Sequence, residues 1–259
     1  MILSRRISLD DVQLDSLDDR IIISGFEEDP VDETFRTVDR YPCGSRITNQ
    51  HISKKKITLK FLIKVKKGGF AARNEILEKI TKWARYGHVM KSNTRPNRQI
   101  RVKCTQVQKI SDPRNWTSEY QMTFEAMEKP YWEDTTATTK TLTQDDEGSD
   151  TITVPGSADT MAEATIQNKS GDTIGTLELT INGYTMSFTD LGLVNNGYLT
   201  IDHTIVNEKE VLRIRIGNTS KMACMSGDDE FILAPGENAI SYSAEGDVIV
   251  SVSAKGRYV

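Results

Sequence analysis

Apolar residues in this chain mostly recur at every second position, and at helical spacing in one clear stretch. Ile57, Leu59, Phe61, Ile63 and Val65 alternate with Thr58, Lys60, Leu62 and Lys64, which predicts a strand with one buried face and lysines largely on the other. Gly68-Gly69 ends it. Over residues 70–86, Ala72, Ile76, Ile80, Trp83 and Ala84 fall on one helical stripe that Leu77 broadens. Glu75 and Glu78 come early and Lys82 and Arg85 late, as the helix dipole favours, and Gly87 is expected as a left-handed cap. This helix should lie across a sheet with its stripe inward. Two further strands are expected at Ile100–Val107 and Trp116–Ala126, with Tyr120, Met122, Phe124 and Ala126 on one face and residues 91–98 as a loop or hairpin tip. Upstream, Arg20–Ser24 and Arg46–His51 carry short strand signals, separated by an acidic turn at Glu27–Pro30.

The pattern changes at Glu128–Asp134. Residues 135–143 contain six threonines, a linker or strand composition, and Gln144–Asp150 is an acidic turn. Beyond it helical periodicity nearly vanishes. Leu177, Leu179 and Ile181 alternate up to Asn182-Gly183, and Tyr184, Met186 and Phe188 alternate away from it, a hairpin signal because both turn residues tolerate positive φ. Other strand candidates are Tyr198–Asp202, Leu212–Ile216, Phe231–Leu233, Ala239–Tyr242 and Val248–Ala254, with Pro235-Gly236 as a tight turn. Their spacing predicts a β-sandwich.

Charge sharpens the division. Residues 1–130 hold 25 Lys+Arg and 17 Asp+Glu, net +8, and residues 131–259 hold 8 and 20, net −12. The sequence predicts two domains, 1–132 and 133–259. Within the first, residues 40–114 carry 20 basic and 3 acidic side chains, whereas residues 8–39 are acid-rich. Three readings of the basic stretch stand open: phosphate binding, a solvated strand face, or an interface with an acidic patch such as Asp15, Asp18, Asp19, Glu27, Glu28 and Asp29 of a neighbouring copy. Apolar runs are far shorter than the roughly 18–20 residues of a membrane span, and no secretory leader is visible. Cys43, Cys104 and Cys224 are odd in number and widely spaced, which argues against a disulfide framework. His51, His88 and His203 form no metal or nucleophile motif, no phosphate loop is present, and the acidic turns lack the calcium-loop ligand order. No catalytic, cofactor or metal residue is predicted.

The order of these features resembles the distal tail protein (Dit) family of siphophages, the long, non-contractile-tailed bacteriophages. A β-rich domain with one helix closes on Phe124-Glu125-Ala126-Met127-Glu128-Lys129-Pro130-Tyr131-Trp132. A sandwich follows with Tyr198-Leu199-Thr200-Ile201-Asp202 and Leu233-Ala234-Pro235-Gly236-Glu237-Asn238-Ala239-Ile240-Ser241-Tyr242. The resemblance implies a mainly β fold: a tail-tube-like, ring-forming domain and a galectin-like or carbohydrate-binding-module-like sandwich. It implies a virion protein of the tail tip, made in the bacterial cytoplasm. Such a protein forms a homo-hexameric ring between tail tube and tail-tip hub, anchors baseplate or receptor-binding components, and leaves a channel that DNA crosses without specific binding. On this reading the protein is not an enzyme and has no membrane partner. Pro130, Tyr131 and Trp132 form an interdomain hinge, proline fixing the direction and the aromatics packing. Ring closure needs two different complementary patches per copy, and Lys54, Lys55 and Lys56 are the candidate basic one. The alternative is a carbohydrate-binding adhesin acting through the sandwich. Against it, no tryptophan follows Trp132, and His203, Asn182, Asn195 and Arg213 form no recognisable constellation.

Overall fold

The computed structural model describes residues 6–30, 33–40, 44–52, 54–66, 69–114, 116–127, 129–143, 148–206, 209–228 and 231–259. Cys43, Lys67, Gly68, Glu128, Gln144–Glu147, Asp229 and Glu230 lie outside them, as do the side chains of residues 33–40 and 44–52, His51 included. The chain divides into two units, residues 1–132 with Val259, and residues 133–258.

In the first unit the strands are β1 (Ile7–Leu9), β2 (Val12–Gln13), β3 (Ile21–Glu28), β4 (Glu33–Arg40), β5 (Gly44–Ile52), β6 (Lys56–Lys64), β7 (Gly87–Ser92), β8 (Arg95–Arg114) and β9 (Thr117–Ala126), with helix α1 (Phe70–Trp83) between β6 and β7. The main sheet runs in the order β2-β1-β7-β8-β9-β6-β3, with these neighbours antiparallel. Alternation puts Ile57, Leu59, Phe61 and Ile63 of β6 and Tyr120, Met122 and Phe124 of β9 on one buried face, where Phe61 stacks on Tyr120 with centroids 5.7 Å apart. Helix α1 buries Ile76, Ile80 and Trp83, and the Trp83 indole N–H donates to the Val12 carbonyl at 2.9 Å.

Several boundaries differ from expectation. Gly87 begins β7 and is not among the positive-φ residues, so it is no left-handed cap; α1 ends at Ala84 with φ −93°. The acidic stretch at Glu27 is still strand, because β3 passes Ser24 through a bulge and keeps pairing with β6 to Glu28. β8 is far longer than expected and absorbs the loop at 95–98 and residues beyond Val107.

The second unit contains β10 (Trp132–Asp134, shared with the boundary), β11 (Thr138–Leu142), β12 (Ser149–Val154), β13 (Thr160–Met161), β14 (Glu163–Asn168), β15 (Leu177–Ile181), β16 (Tyr184–Phe188), β17 (Tyr198–Val206), β18 (Lys209–Ile216), β19 (Thr219–Ser220), β20 (Met225–Gly227), β21 (Ile232–Leu233), β22 (Gly236–Ala244), β23 (Val248–Ala254) and β24 (Arg257–Tyr258). A six-stranded sheet, β11-β23-β14-β17-β18-β19, and a five-stranded one, β12-β22-β15-β16-β20, contribute apolar residues to one shared core that includes Ile166, Ile201, Val250, Leu179, Phe188 and Ile240. This is the sandwich the alternation predicts. The β15–β16 hairpin turns on Asn182 (φ 51°) and Gly183 (φ 85°) as expected, and the threonine run supplies β11.

Two buried asparagines organise the sandwich's turns. The Asn168 amide donates to the Asp172 and Leu193 carbonyls at 2.8 and 2.7 Å, and its oxygen accepts from Ser170. The Asn238 amide donates to the Ala234 and Gly236 carbonyls at 2.9 Å each, and its oxygen accepts the Ala234 N–H and the Asn182 amide. The Pro235-Gly236 turn and the Asn182-Gly183 turn are thereby tied to one side chain. The first and last segments of the unit also meet. Arg257 Nε donates to Glu133 Oε1 at 3.0 Å, the Tyr258 hydroxyl to Asp134 at 3.1 Å, and the Asp134 N–H to the Gly256 carbonyl at 2.9 Å.

Candidate assembly site

Two of the predicted site residues, one from the lysine run and one from the hinge, converge in the first unit on a single carboxylate that the sequence had placed in an acidic turn. Glu28 Oε1 accepts Arg95 Nε at 2.9 Å, and Oε2 accepts Arg95 Nη2 at 3.0 Å and the Trp132 indole N–H at 2.9 Å. Lys55 Nζ lies 3.2 Å from Oε2. The Arg95 guanidinium also sits 5.5 Å from the Trp132 ring centroid. Trp132 is fully buried and Lys55 only 3% exposed. Burial pushes the Glu28 carboxyl up, but the donors from Arg95, Trp132 and Lys55 together hold it below its ordinary value.

The lysine run is therefore split. Lys54 and Lys56 are at the surface while Lys55 points inward, on the same odd-numbered parity as Ile57 and Leu59. Lys56, Lys60 and Lys64 follow on the outer face of β6, where Lys60 bonds Glu27 at 2.7 Å and Lys56 stands opposite Glu125. Acidic neighbours thus punctuate the basic row, which favours a solvated, ion-paired face over a phosphate-binding one. Pro130 and Tyr131 are half-buried.

The same sheet has unpaired backbone at its rims. Among the described residues β3 pairs with β6 alone, and Asp19, Glu27 and Asp29 are exposed along and beside it. β7 accompanies β8 only as far as Lys103. Beyond that point β8 pairs with β9 on one side, bulges repeatedly, and exposes Val107 and Ile110. β4 and β5 pair with each other and, among the described residues, with no other strand.

His88 serves the fold. His88 Nε2 accepts the Tyr86 N–H at 3.3 Å and its Nδ1 donates to Asp10 at 2.6 Å; this hydrogen bond is the main cause holding the Asp10 carboxyl below its usual range. His203 lines a cavity of about 200 Å³ with Glu133, Glu163, Lys255 and Arg257, where Arg257 is taken up by Glu133. Cys104 and Cys224 are free and half-buried, and burial pushes the Cys104 thiol up. Among the described residues no three His, Cys, Asp or Glu side chains are grouped to hold a metal ion, and no helix is long and apolar enough to cross a membrane.

In the second unit His203, Asn182 and Asn195 are not brought to Arg213. Arg213 instead joins a cluster that sequence reasoning missed. Its Nε and Nη2 donate to Asp202 at 2.6 and 2.8 Å, and Arg215 Nη2 donates to the same carboxylate at 2.8 Å. The Arg213 bonds are the largest cause holding the Asp202 carboxyl below its usual range. The spacing 202, 213, 215 is visible only once β17 and β18 are known to pair in register.

No protein-family model and no curated protein sequence matches this chain. Among solved structures, its fold is similar to that of the Dit protein of phage SPP1, described as a paradigm of the hub adsorption apparatus in phages infecting Gram-positive bacteria. The TM-score is 0.72 at 13% sequence identity, over 97% of this chain and 98% of that one. Chains of the phage p2 baseplate in its activated conformation, with strontium and with calcium, align at TM-scores of 0.44 and 13% identity. The mainly β, Dit-like fold is thus established over both units.

Proposed function

We propose that this protein is a structural component of a siphophage tail tip: a subunit of a ring, hexameric by analogy, that joins the tail tube to the tip hub and carries baseplate or receptor-binding components. The observation that carries the reading is the fold likeness to the SPP1 Dit protein, which spans both units rather than one. Its work is geometric. Copies arranged around a rotation axis leave a channel, and the protein makes and breaks no bonds.

The first unit is the ring-forming part in this reading. Head-to-tail closure needs two unlike patches. The open acidic β3 rim supplies one, and Lys54 and Lys56 with the exposed basic residues Arg101 and Lys103 of β8 supply the other. Unpaired strand edges are ready templates for another chain. Pro130–Trp132 serves as the hinge leading to the second unit, which carries the attachment surface. Light scattering and negative-stain images of the purified protein test this. Six-fold rings with a central channel are expected; a chain that stays single at every concentration and never reaches a phage tail sinks the reading.

A further inference from the structure

The sequence contains two Asn-Gly pairs, Asn182-Gly183 and Asn196-Gly197, each followed by a tyrosine. Such a pair is chemically labile. Because glycine has no Cβ, its main-chain nitrogen can close on the asparagine Cγ. A new C–N bond forms, the bond from Cγ to the side-chain nitrogen breaks, and ammonia leaves. The product is a five-membered succinimide. Water opens either carbonyl of that ring and gives aspartate or isoaspartate. One water is consumed, one ammonia is released, and nothing is oxidised or reduced.

The fold treats the two pairs differently. Both asparagines are exposed, and both stand at positive φ, 51° for Asn182 and 58° for Asn196, so neither exposure nor φ separates them. Side-chain bonding does. The Asn182 amide donates to Asn238 Oδ1 at 2.6 Å, and its oxygen accepts the Ala239 N–H at 3.1 Å. The Asn182 N–H donates to the Ala239 carbonyl at 3.0 Å. Main chain and side chain are thus clamped to β22, and Cγ swings toward Gly183 only after two side-chain bonds open. The Asn196 side chain makes no hydrogen bond among the described residues. Its restraint lies on the nucleophile, because the Gly197 N–H donates to the Val194 carbonyl at 2.8 Å. One surface turn bond is a weaker lock than two side-chain bonds, each bond being worth about a factor of ten. We propose that Asn196 is a site of spontaneous deamidation, and that Asn238 protects Asn182 from the same reaction.

The reaction at Asn196 reaches the interior. The Asn196 N–H donates to the Asn168 carbonyl at 2.9 Å, and the Gly197 carbonyl accepts the Asn168 N–H at 3.1 Å. Isoaspartate routes the main chain through the former side chain and inserts a methylene between these two anchors, so they cannot both be kept. Asn168 is the buried amide that holds the Asp172 and Leu193 carbonyls. A surface event at residue 196 therefore loosens a buried node. It also adds a carboxylate to residues 131–259, which already hold 20 acidic and 8 basic side chains.

Ageing the full chain in mildly alkaline buffer tests the proposal, with peptide mapping by mass spectrometry and enzymatic methylation to count isoaspartate. Short peptides of residues 179–185 and 193–199 give the rates without the fold. In the chain, Asn196 is expected to convert about tenfold faster than Asn182. Asn238→Ala removes one of the Asn182 bonds and should speed conversion there about tenfold, leaving the rate at Asn196 unchanged. Asn196→Ser should remove most of the isoaspartate. Amide exchange in the aged chain should rise at residues 168–172 and 193–197. A circular dichroism melt shows that each variant folds, and the comparison of the two sites within the unaltered chain needs no variant. The proposal is overturned if Asn182 converts as fast as Asn196, or if the fold slows Asn196 by more than about a hundredfold relative to its peptide, which is the slowing two bonds would give. None of these readings depends on ring formation.

Discussion

The two units differ in the hidden polarity at their centres. The first buries ions: Lys55 and Glu28, with Arg95 and the Trp132 indole completing the set. The second buries one ion at its entry, Arg257 against Glu133, but its turns are held by neutral amides, Asn168 and Asn238, each satisfied by backbone carbonyls and N–H groups of the turns it holds. A buried ion set depends on every member keeping its charge, because removal of one leaves another uncompensated in a poorly hydrated place. A buried amide has no charge to lose. The first unit should therefore be sensitive to the charge on Glu28, and the second to geometry at its turns.

The sharpest way to break the contrast is Glu28→Ala. It strands Lys55 and Arg95 together and should cost about 3–5 kcal/mol, with amide exchange accelerating in β3, β6 and β8 and not in the sandwich. A loss spread evenly over both units would contradict it. Asn238→Ala should cost about 1–3 kcal/mol by orphaning buried backbone groups, with exchange rising at residues 234–239 and 182–183. Acidification gives a third measurement. Glu28 titrates lower in the folded chain than its ordinary value, so its contribution is complete above the usual glutamate range, near about 4.3, and is lost as pH falls through the lowered folded value. Urea titrations from pH 6 downward should show the first unit weakening in that window, with Glu28→Gln removing the share that belongs to Glu28 and leaving those of Asp10 and Asp18. Next in size, Gly183→Ala forces a side chain onto a residue at φ 85° and should cost about 1–2 kcal/mol. The smallest effect on stability should come from Lys54→Glu with Lys56→Glu, within about 0.5 kcal/mol, yet this pair should weaken ring assembly in light scattering. Lys55 must be left out of that variant, because reversing all three lysines would test the interior and the surface together.

How much of this was legible turns on parity. The alternation of β6, the single helix and the Asn182-Gly183 hairpin could be read because local periodicity and turn chemistry agree there. The three polar residues that matter inside were present in the same signal. Lys55 continues the inward series of Ile57 and Leu59, Asn168 that of Ala164 and Ile166, and Asn238 precedes inward Ile240 by two. A run of three lysines reads as uniformly exposed only if period two is not extended back through it. The partners were not legible. Glu28 meets Arg95 and Trp132 from far along the chain, and Asp202 meets two arginines across a hairpin; such meetings follow from sheet order and register, which no local pattern states. The helix cap failed for a related reason: Gly87 was needed as the first residue of β7, where Met127 crowds it, and pairing outranked capping.

The pinning of Glu133 and Asp134 to Arg257, Tyr258 and Gly256 has an evolutionary reading. A module whose entry and exit are neighbours can be excised or replaced with two adjacent cuts, and its ends can be rejoined in permuted order with little disturbance. Such a cassette can be exchanged as one piece while the first unit stays unchanged.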